Sequence, residues 1–290
     1  MENQDQQSTQ KFLYRLVSDN ASQESMSWLD QQTDKYQNQR SNRIFNLTFS
    51  TLSRYFDKSR LPNNTEATKE AGQIRSGWDL SQWDARQAAR TYWLLQLSAD
   101  SPEDYRSALD RLFATADVDE QITLYAALPL YDYPDQMVYR ASEGIRTNIT
   151  DVFDAVALRN PYPAGYMADE AWNQMVLKAI FMGRPLYLIQ QLDERRNPDQ
   201  ARMLIDFVHE RWAASRPVTP ELWRGVAPYL TKEHLPDIQR LLEQGSSLEK
   251  QAATLAIKES ENDMLRKQLA NYSLPDEELD WKTIGIMSND

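Results

Sequence analysis

No cysteine occurs among the 290 residues, which excludes disulfides, thiolate zinc sites and cysteine nucleophiles together. The 8 glycines are too few for the close succession of tight turns that a β-sandwich needs. Histidine is as scarce: there are 2, His209 and His234, and His209-Glu210 lacks the second histidine four positions on that a zinc-peptidase helix uses. No spaced carboxylates form the pattern of a known ion-binding loop, so neither a metal nor another cofactor is expected. Positive charge is also short. The formal net charge of −11 repels phosphate backbones, and no local basic stripe offsets it, so nucleic acid is not an expected partner. No run of about 18 apolar residues occurs; the nearest, residues 175–182, is broken by Lys178, so no membrane insertion is expected. The polar first ten residues lack the basic-then-apolar order of a secretion signal, which predicts a cytoplasmic protein. Nor is there a Gly-rich phosphate cradle, a Gly-x-Ser-x-Gly elbow or a kinase-like set, which removes the usual footholds of nucleotide-dependent and acyl-transfer chemistry.

What the chain has in abundance is helical periodicity. Phe12, Leu13, Leu16 and Val17 recur at helix spacing, and Ile44, Leu47, Leu52, Tyr55 and Phe56 do so further on. Between Asp57 and Gly77 apolar residues thin out, and Leu61-Pro62-Asn63-Asn64-Thr65 followed by Gly72 and Gly77 reads as a long connection, either a linker or a functional lid. From Leu80 helices follow at short spacing, over residues 83–98, 102–114, 119–127, 135–148 and 151–158. Ser101-Pro102-Glu103-Asp104 has a capping hydroxyl, a first-turn proline and two carboxylates in the order a helix start prefers, and residues 117–120 and 132–135 offer similar acidic starts. After a loop at 160–168 come segments at 170–182, 186–192, 198–214, 220–229, 234–244, 248–260 and 262–272, with Asn197-Pro198 and Thr219-Pro220 placing a capping residue before a proline. The expected fold is therefore all-α, with helical hairpins stacked as a degenerate HEAT-like α-solenoid. Its expected divisions are N-terminal helices at 1–57, the linker or loop at 58–79, a helical repeat region at 80–274 and a flexible acidic tail at 275–290, either disordered or docked through Trp281 and Ile284.

Polar and aromatic residues concentrate between 160 and 224, on helices that Leu and Ala would bury equally well. Placing Trp, Arg, Asn and His there costs desolvation unless each polar group finds a partner, in the protein or in a ligand. On the 198–214 helix, Ala201, Leu204, Ile205, Val208 and Trp212 form one stripe, with Arg202, Asp206 and His209 beside it. Asp206 stands three positions before His209, so its carboxylate can orient the ring, either for proton transfer or simply to pin helices together. Asn173 falls on the apolar face of its helix, where a buried carboxamide either fixes backbone or reads a polar group of a small molecule. Trp172, Trp212, Trp223, Tyr162 and Tyr166, with Arg211 and Arg224, suit either helix packing or recognition of a flat ligand or a partner protein. Trp78, Trp83, Tyr92 and Trp93 are expected in the core.

The strings Leu158-Arg159-Asn160-Pro161-Tyr162-Pro163, Ala171-Trp172-Asn173-Gln174-Met175-Val176-Leu177-Lys178-Ala179, Ala201-Arg202-Met203-Leu204 and His209-Glu210-Arg211-Trp212-Ala213 resemble the EboA family of bacterial proteins. The resemblance is close over residues 150–230 and looser over 85–127. It implies a cytoplasmic protein that works with other Ebo-cluster proteins, which look like a metal-dependent hydrolase, a prenyltransferase, a sugar-cyclase-like enzyme, an isomerase-like enzyme and a phosphatase-like enzyme. It further implies a role in making or moving a small secondary metabolite. The family carries no established catalytic residues, so the resemblance marks only a characteristic segment that holds Asn160, Asn173, Arg202, His209, Arg211 and Trp212.

Two functions follow as expectations. One is a non-catalytic helical scaffold or binding protein that holds a metabolite intermediate or an Ebo-type partner with Asn160, Tyr162, Trp172, Asn173, Arg202, His209, Arg211, Trp212, Trp223 and Arg224. The alternative is a cofactor-independent enzyme in which His209, oriented by Asp206, moves a proton on a metabolite intermediate. Whether His209 is open or enclosed separates them, openness being what the enzyme requires.

Overall fold

Phe12, Leu13, Leu16 and Val17, the first stripe legible in the sequence, are all buried on the helix α1 (Asn3–Ser18). In the computed structural model, which describes residues 3–61, 64–260, 262–269, 272 and 279–289, 17 α-helices form among the described residues. No β-strand does, Arg60 and Asp84 making only an isolated antiparallel bridge. The chain is all-helical, and among the described residues no helix is long and apolar enough to cross a membrane. It divides into two units, Met1–Tyr166 and Met167–Asp290.

The first unit holds α1, α2 (Gln23–Gln39), α3 (Asn42–Thr51), α4 (Asn64–Ile74), α5 (Ala85–Leu94), α6 (Pro102–Thr115), α7 (Val118–Ala126), α8 (Val138–Arg146), α9 (Thr150–Ala157) and α10 (Tyr162–Tyr166). Helix α1 packs on α5, where Ala88 and Ala89 are fully buried and their small side chains let the two backbones approach. Trp78, Trp83, Tyr92 and Trp93 lie in this core, as their apolar setting in the sequence predicts. Trp93 stacks on Phe45 with ring centroids 5.3 Å apart, and its Nε1 donates to the Phe45 carbonyl at 3.0 Å, so the burial strands no polar atom.

The capping signals operate where the sequence places them. Ser101 and Asp117 accept from the N3 amides of α6 and α7, and Asp117 with Glu120 closes a reciprocal capping box. Elsewhere the structure departs from the pattern. Helix α4 lies within the 58–79 stretch that reads as a connection; the face it buries presents Ala67 and Ala71, too small to register as an apolar stripe. The 135–148 segment begins as a 3₁₀ turn at Pro134–Met137, and the 160–168 loop contains the short α10.

The second unit holds α11 (Asp169–Phe181), α12 (Pro198–Ala213), α13 (Trp223–Val226), α14 (Leu235–Gln244), α15 (Ser247–Glu259), α16 (Asp263–Leu269) and α17 (Trp281–Asn289). Short 3₁₀ turns at Leu186–Leu188 and Pro220–Leu222 connect them. Asn197 caps α12, its side chain accepting from the Gln200 amide at 2.9 Å, whereas Thr219 occupies the position before Pro220 without making a side-chain cap. Helix α15 lies at the centre, packing on α13, α14, α16 and α17. Trp281 and Ile284 are buried, so α17 docks through the two residues that the sequence offers for docking. Residues 275–278 of the expected tail, and Asp290, lie outside the described residues.

Candidate functional site

Asn160 and Tyr162 belong to the first unit; the other residues picked out as binding or catalytic candidates belong to the second. Asn160 is buried, and its Nδ2 donates to the carbonyls of Tyr125 at 3.1 Å and Ala155 at 2.9 Å while Oδ1 accepts from the Tyr162 amide at 2.9 Å. Its carboxamide thus shapes the turn between α9 and α10. The Tyr162 hydroxyl donates to the Pro134 carbonyl at 2.5 Å, and its ring stacks on Tyr166 with centroids 4.8 Å apart. Burial, aided by the neighbouring Tyr166 and Asp135, pushes that phenol well above its usual range.

In the second unit, α11 and α12 are joined by a reciprocal carboxamide pair. Asn173 Nδ2 donates to Asn197 Oδ1 at 3.0 Å, and Asn197 Nδ2 donates to Asn173 Oδ1 at 2.8 Å. Each amide satisfies the other in a setting where a lone one would be costly. Beside them Trp172 is fully buried under the Arg195 guanidinium, 5.0 Å from its ring centroid. The Trp172 Nε1 and both carboxamide atoms of Gln200 are buried without a hydrogen-bond partner among the described residues.

On the outer side of α12, Arg202 pairs with Asp199 in the open at 2.9 Å. His209 is half-exposed, with 53% of its side chain accessible, and its Nε2 lies 2.9 Å from Asp237 Oδ1 on α14. The orienting carboxylate is therefore Asp237, which comes from a different helix, while Asp206 is exposed. Arg211 donates from Nε and Nη2 to the Pro217 carbonyl and ties down the turn after α12. Trp212 stands with its ring centroid 6.3 Å from that of His209 and 6.2 Å from that of buried Trp223. The exposed Arg240 guanidinium lies 4.3 Å from its ring centroid. His209, Trp212 and Trp223 are thus brought together, and Asp237 and Arg240 join them from α14. This rim offers a flat indole, a guanidinium stacked on it, and a solvent-facing imidazole whose orientation is set by a carboxylate, a combination suited to holding a planar or anionic group.

Arg224 serves a second cluster. Its Nε and Nη2 donate to the two oxygens of Asp193, each at 2.7 Å. Arg196 Nη1 donates to the Arg224 carbonyl at 3.1 Å and to Glu259 Oε2 at 2.9 Å, and Glu259 Oε1 accepts from Trp281 Nε1 at 2.7 Å. Burial alone would raise the Asp193 carboxyl, but the bonds and charge of Arg224, with the charge of Arg196, hold it below the ordinary carboxylate range. At the edge of this cluster Glu221 is only 1% exposed. Its Oε2 accepts from the Leu186 amide at 2.8 Å, Arg224 Nη1 stands 4.0 Å from Oε1, and Oε1 has no hydrogen-bond partner among the described residues. Burial lifts its carboxyl to about 7, against the pull of the Leu186 amide, the Arg224 charge and the Tyr187 amide.

The family described as Metabolite traffic protein EboA matches residues 9–227. The chain belongs to the EboA family. No curated protein and no solved structure matches it. The EboA match takes in Asn173, Asp193, Arg196, His209, Trp212, Glu221 and Arg224, while Asp237, Arg240, Glu259 and Trp281 lie beyond its end. Among the described residues no group of three or more His, Cys, Asp or Glu is placed to hold a metal ion.

Sequence reading passed over Asp193, Arg196, Glu221, Asp237, Arg240 and Glu259. For Asp193 and Arg196 the signal was a charged run, Asp193-Glu194-Arg195-Arg196, which an exposed loop would carry equally well. For Glu221 the signal was sharper, since in Pro220-Glu221-Leu222-Trp223-Arg224-Gly225-Val226 only two charges interrupt an apolar stretch, three positions apart. Asp237, Arg240 and Glu259 sit on amphipathic helices where a charge is the ordinary occupant.

Proposed function

We propose that this EboA-family protein is a non-catalytic binding protein of the cytoplasm that assists the synthesis or traffic of a small secondary metabolite in company with other Ebo-type proteins. The observation that carries the proposal is the rim of the second unit, where the Trp212 indole is stacked by Arg240 and flanked by half-exposed His209 on Asp237. An exposed cation on an aromatic face is a poor stability device, contributing about 0.5–1 kcal/mol, but a good platform for a flat or acidic group. The carboxamide pair of buried Asn173 and half-buried Asn197 joins α11 to α12, and the Arg211 bond fixes the end of α12. In the first unit Asn160 and Tyr162 fix the local backbone around the turn between α9 and α10. A HEAT-like stacking of the helical hairpins belongs to the same proposal. The family description, a metabolite traffic protein, supports the same reading.

The test is to complement a strain lacking this protein with Trp212→Ala and Arg240→Ala variants while profiling the pathway's metabolite, and to assay co-purification with the other Ebo proteins. Loss of output and of association with the folded variants supports the proposal. Full output from both variants, together with a solitary wild-type monomer, overturns it.

One observation favours a second reading. His209 is open to solvent and its ring is held by Asp237, as a proton-transfer residue requires. In that reading His209→Ala abolishes metabolite output while co-purification persists; unchanged output in His209→Ala removes it.

A further inference from the structure

Helix α17 lies over a carboxylate that the second unit has left half-satisfied. A β-carbon placed on Gly285 would fall 2.5 Å from Glu221 Oε1 and 2.7 Å from its Cδ, so only a glycine lets α17 settle this closely on the acid. The oxygen beneath that glycine is the one without a hydrogen-bond partner among the described residues. Helix α17 therefore removes water from an oxygen and supplies no donor in return. A protonated carboxyl tolerates that covering far better than an ionised one. Helix α17 is also attached by the hydrogen bond from Trp281 Nε1 to Glu259 Oε1 and by the buried side chains of Trp281 and Ile284.

We propose that α17 is a pH-sensitive latch, held shut over Glu221 when that carboxyl is protonated and loosened when it ionises. The charged group facing Glu221 is Arg224 from α13, with Tyr187 beside it from the turn at Leu186–Leu188; the elements packed against its turn further carry Glu259 on α15, Lys282 on α17 and Asp280 just before it, while Asp193 and Arg196 are paired with Arg224 and Glu259. The Leu186 amide, the Arg224 charge and the Tyr187 amide oppose the effect without reversing it. The Arg224 guanidinium is already engaged by both oxygens of Asp193 and remains 4.0 Å from Glu221.

The sign follows from linkage. With α17 docked, the Glu221 carboxyl titrates at about 7, against an ordinary value of 4.5. The docked state thus binds more protons across that window, and docking weakens as pH rises from about 4.5 to about 7 and levels off above it. Release would turn Glu221 and Tyr187, the two residues Gly285 touches, out to solvent. The latch sits at a junction within the chain: Glu221 and Arg224 lie inside the region the EboA family matches, and α17 lies beyond it.

Hydrogen–deuterium exchange of the full chain at pH 5.5 and 8.5, corrected for intrinsic exchange rates, tests the latch. The expected result is a loss of protection of about tenfold or more in α17 at the higher pH, with α11 changed much less. Glu221→Gln should hold α17 at its low-pH protection at both pH values. Gly285→Ala should deprotect α17 at both, which keeps the test decisive should Glu221→Gln fail to fold. Equal α17 protection at the two pH values in the wild type, an undiminished pH response in Glu221→Gln, or wild-type behaviour of Gly285→Ala would each overturn the proposal.

Discussion

Arg224 holds Asp193 with two parallel hydrogen bonds of 2.7 Å each, a fork-to-fork pairing between α13 and the loop before α12. The guanidinium is largely buried and the carboxylate is the more open partner, at 14% and 40% accessibility. The consequences of losing one side are therefore unequal.

Replacing Asp193 with Ala leaves a largely buried cation without its two hydrogen-bond acceptors, with Glu221 at 4.0 Å and Glu259 as the remaining acids. The expected cost is about 1.5–3 kcal/mol, the range for hydrogen bonds to charged groups. Arg224→Leu, which removes the cation itself, should cost less than Asp193→Ala. Urea denaturation of each variant measures both.

The Asn173–Asn197 pair gives a second stability prediction. Asn197→Ala removes both the α12 cap and the partner of a buried carboxamide, so a loss of about 2 kcal/mol or more is expected. Combining it with Asn173→Leu, which removes the stranded amide, should recover part of that loss. A double-mutant cycle showing strict additivity would count against a direct pair.

Two glycines should respond in opposite directions to the same change. A β-carbon on Gly144 of α8 would lie 2.6 Å from Val156 and 2.7 Å from Tyr125, so Gly144→Ala overpacks the α7–α9 contact and is expected to cost about 1–3 kcal/mol. Gly72, inside α4, has nothing within 4 Å, and Gly72→Ala should stabilise by about 0.5–1 kcal/mol. Thermal melts of the two variants read the signs.

Glu221 makes global stability fall with pH as well. Its native carboxyl titrates at about 7 and its unfolded one near 4.5, so its contribution to stability declines by about 3 kcal/mol between those values and is flat on either side. Glu221→Gln should flatten that slope; a wild-type slope retained in the variant would assign it to other groups.

The helices that sequence made legible were those whose large apolar side chains recur at helical spacing, as in α1, and those announced by a cap, as in α6, α7 and α12. Helix α4 escaped because alanine buries little area and leaves a faint stripe. The site was legible in kind more than in pairing. Asn173, Trp212 and Trp223 stood out because polar or bulky aromatic groups on packed helices need accommodation, but a sequence does not say which helix supplies the answer. His209 illustrates this: its intrahelical neighbour Asp206 had the right spacing, yet Asp237, 28 positions later, lies at 2.9 Å. Tertiary packing sets such long-range partners, and no local spacing encodes them.

Glu259 faces Arg196 with one oxygen and Trp281 with the other. Three distant places in the chain are thereby tied in their descent. A lineage that replaced Trp281 would leave one oxygen of Glu259 without its donor, and one that replaced Glu259 would leave the Trp281 indole without its acceptor and Arg196 Nη1 with the Arg224 carbonyl alone. Divergence at these positions should accordingly arrive in concert, with the tryptophan, the acid and the arginine retained or exchanged as a set.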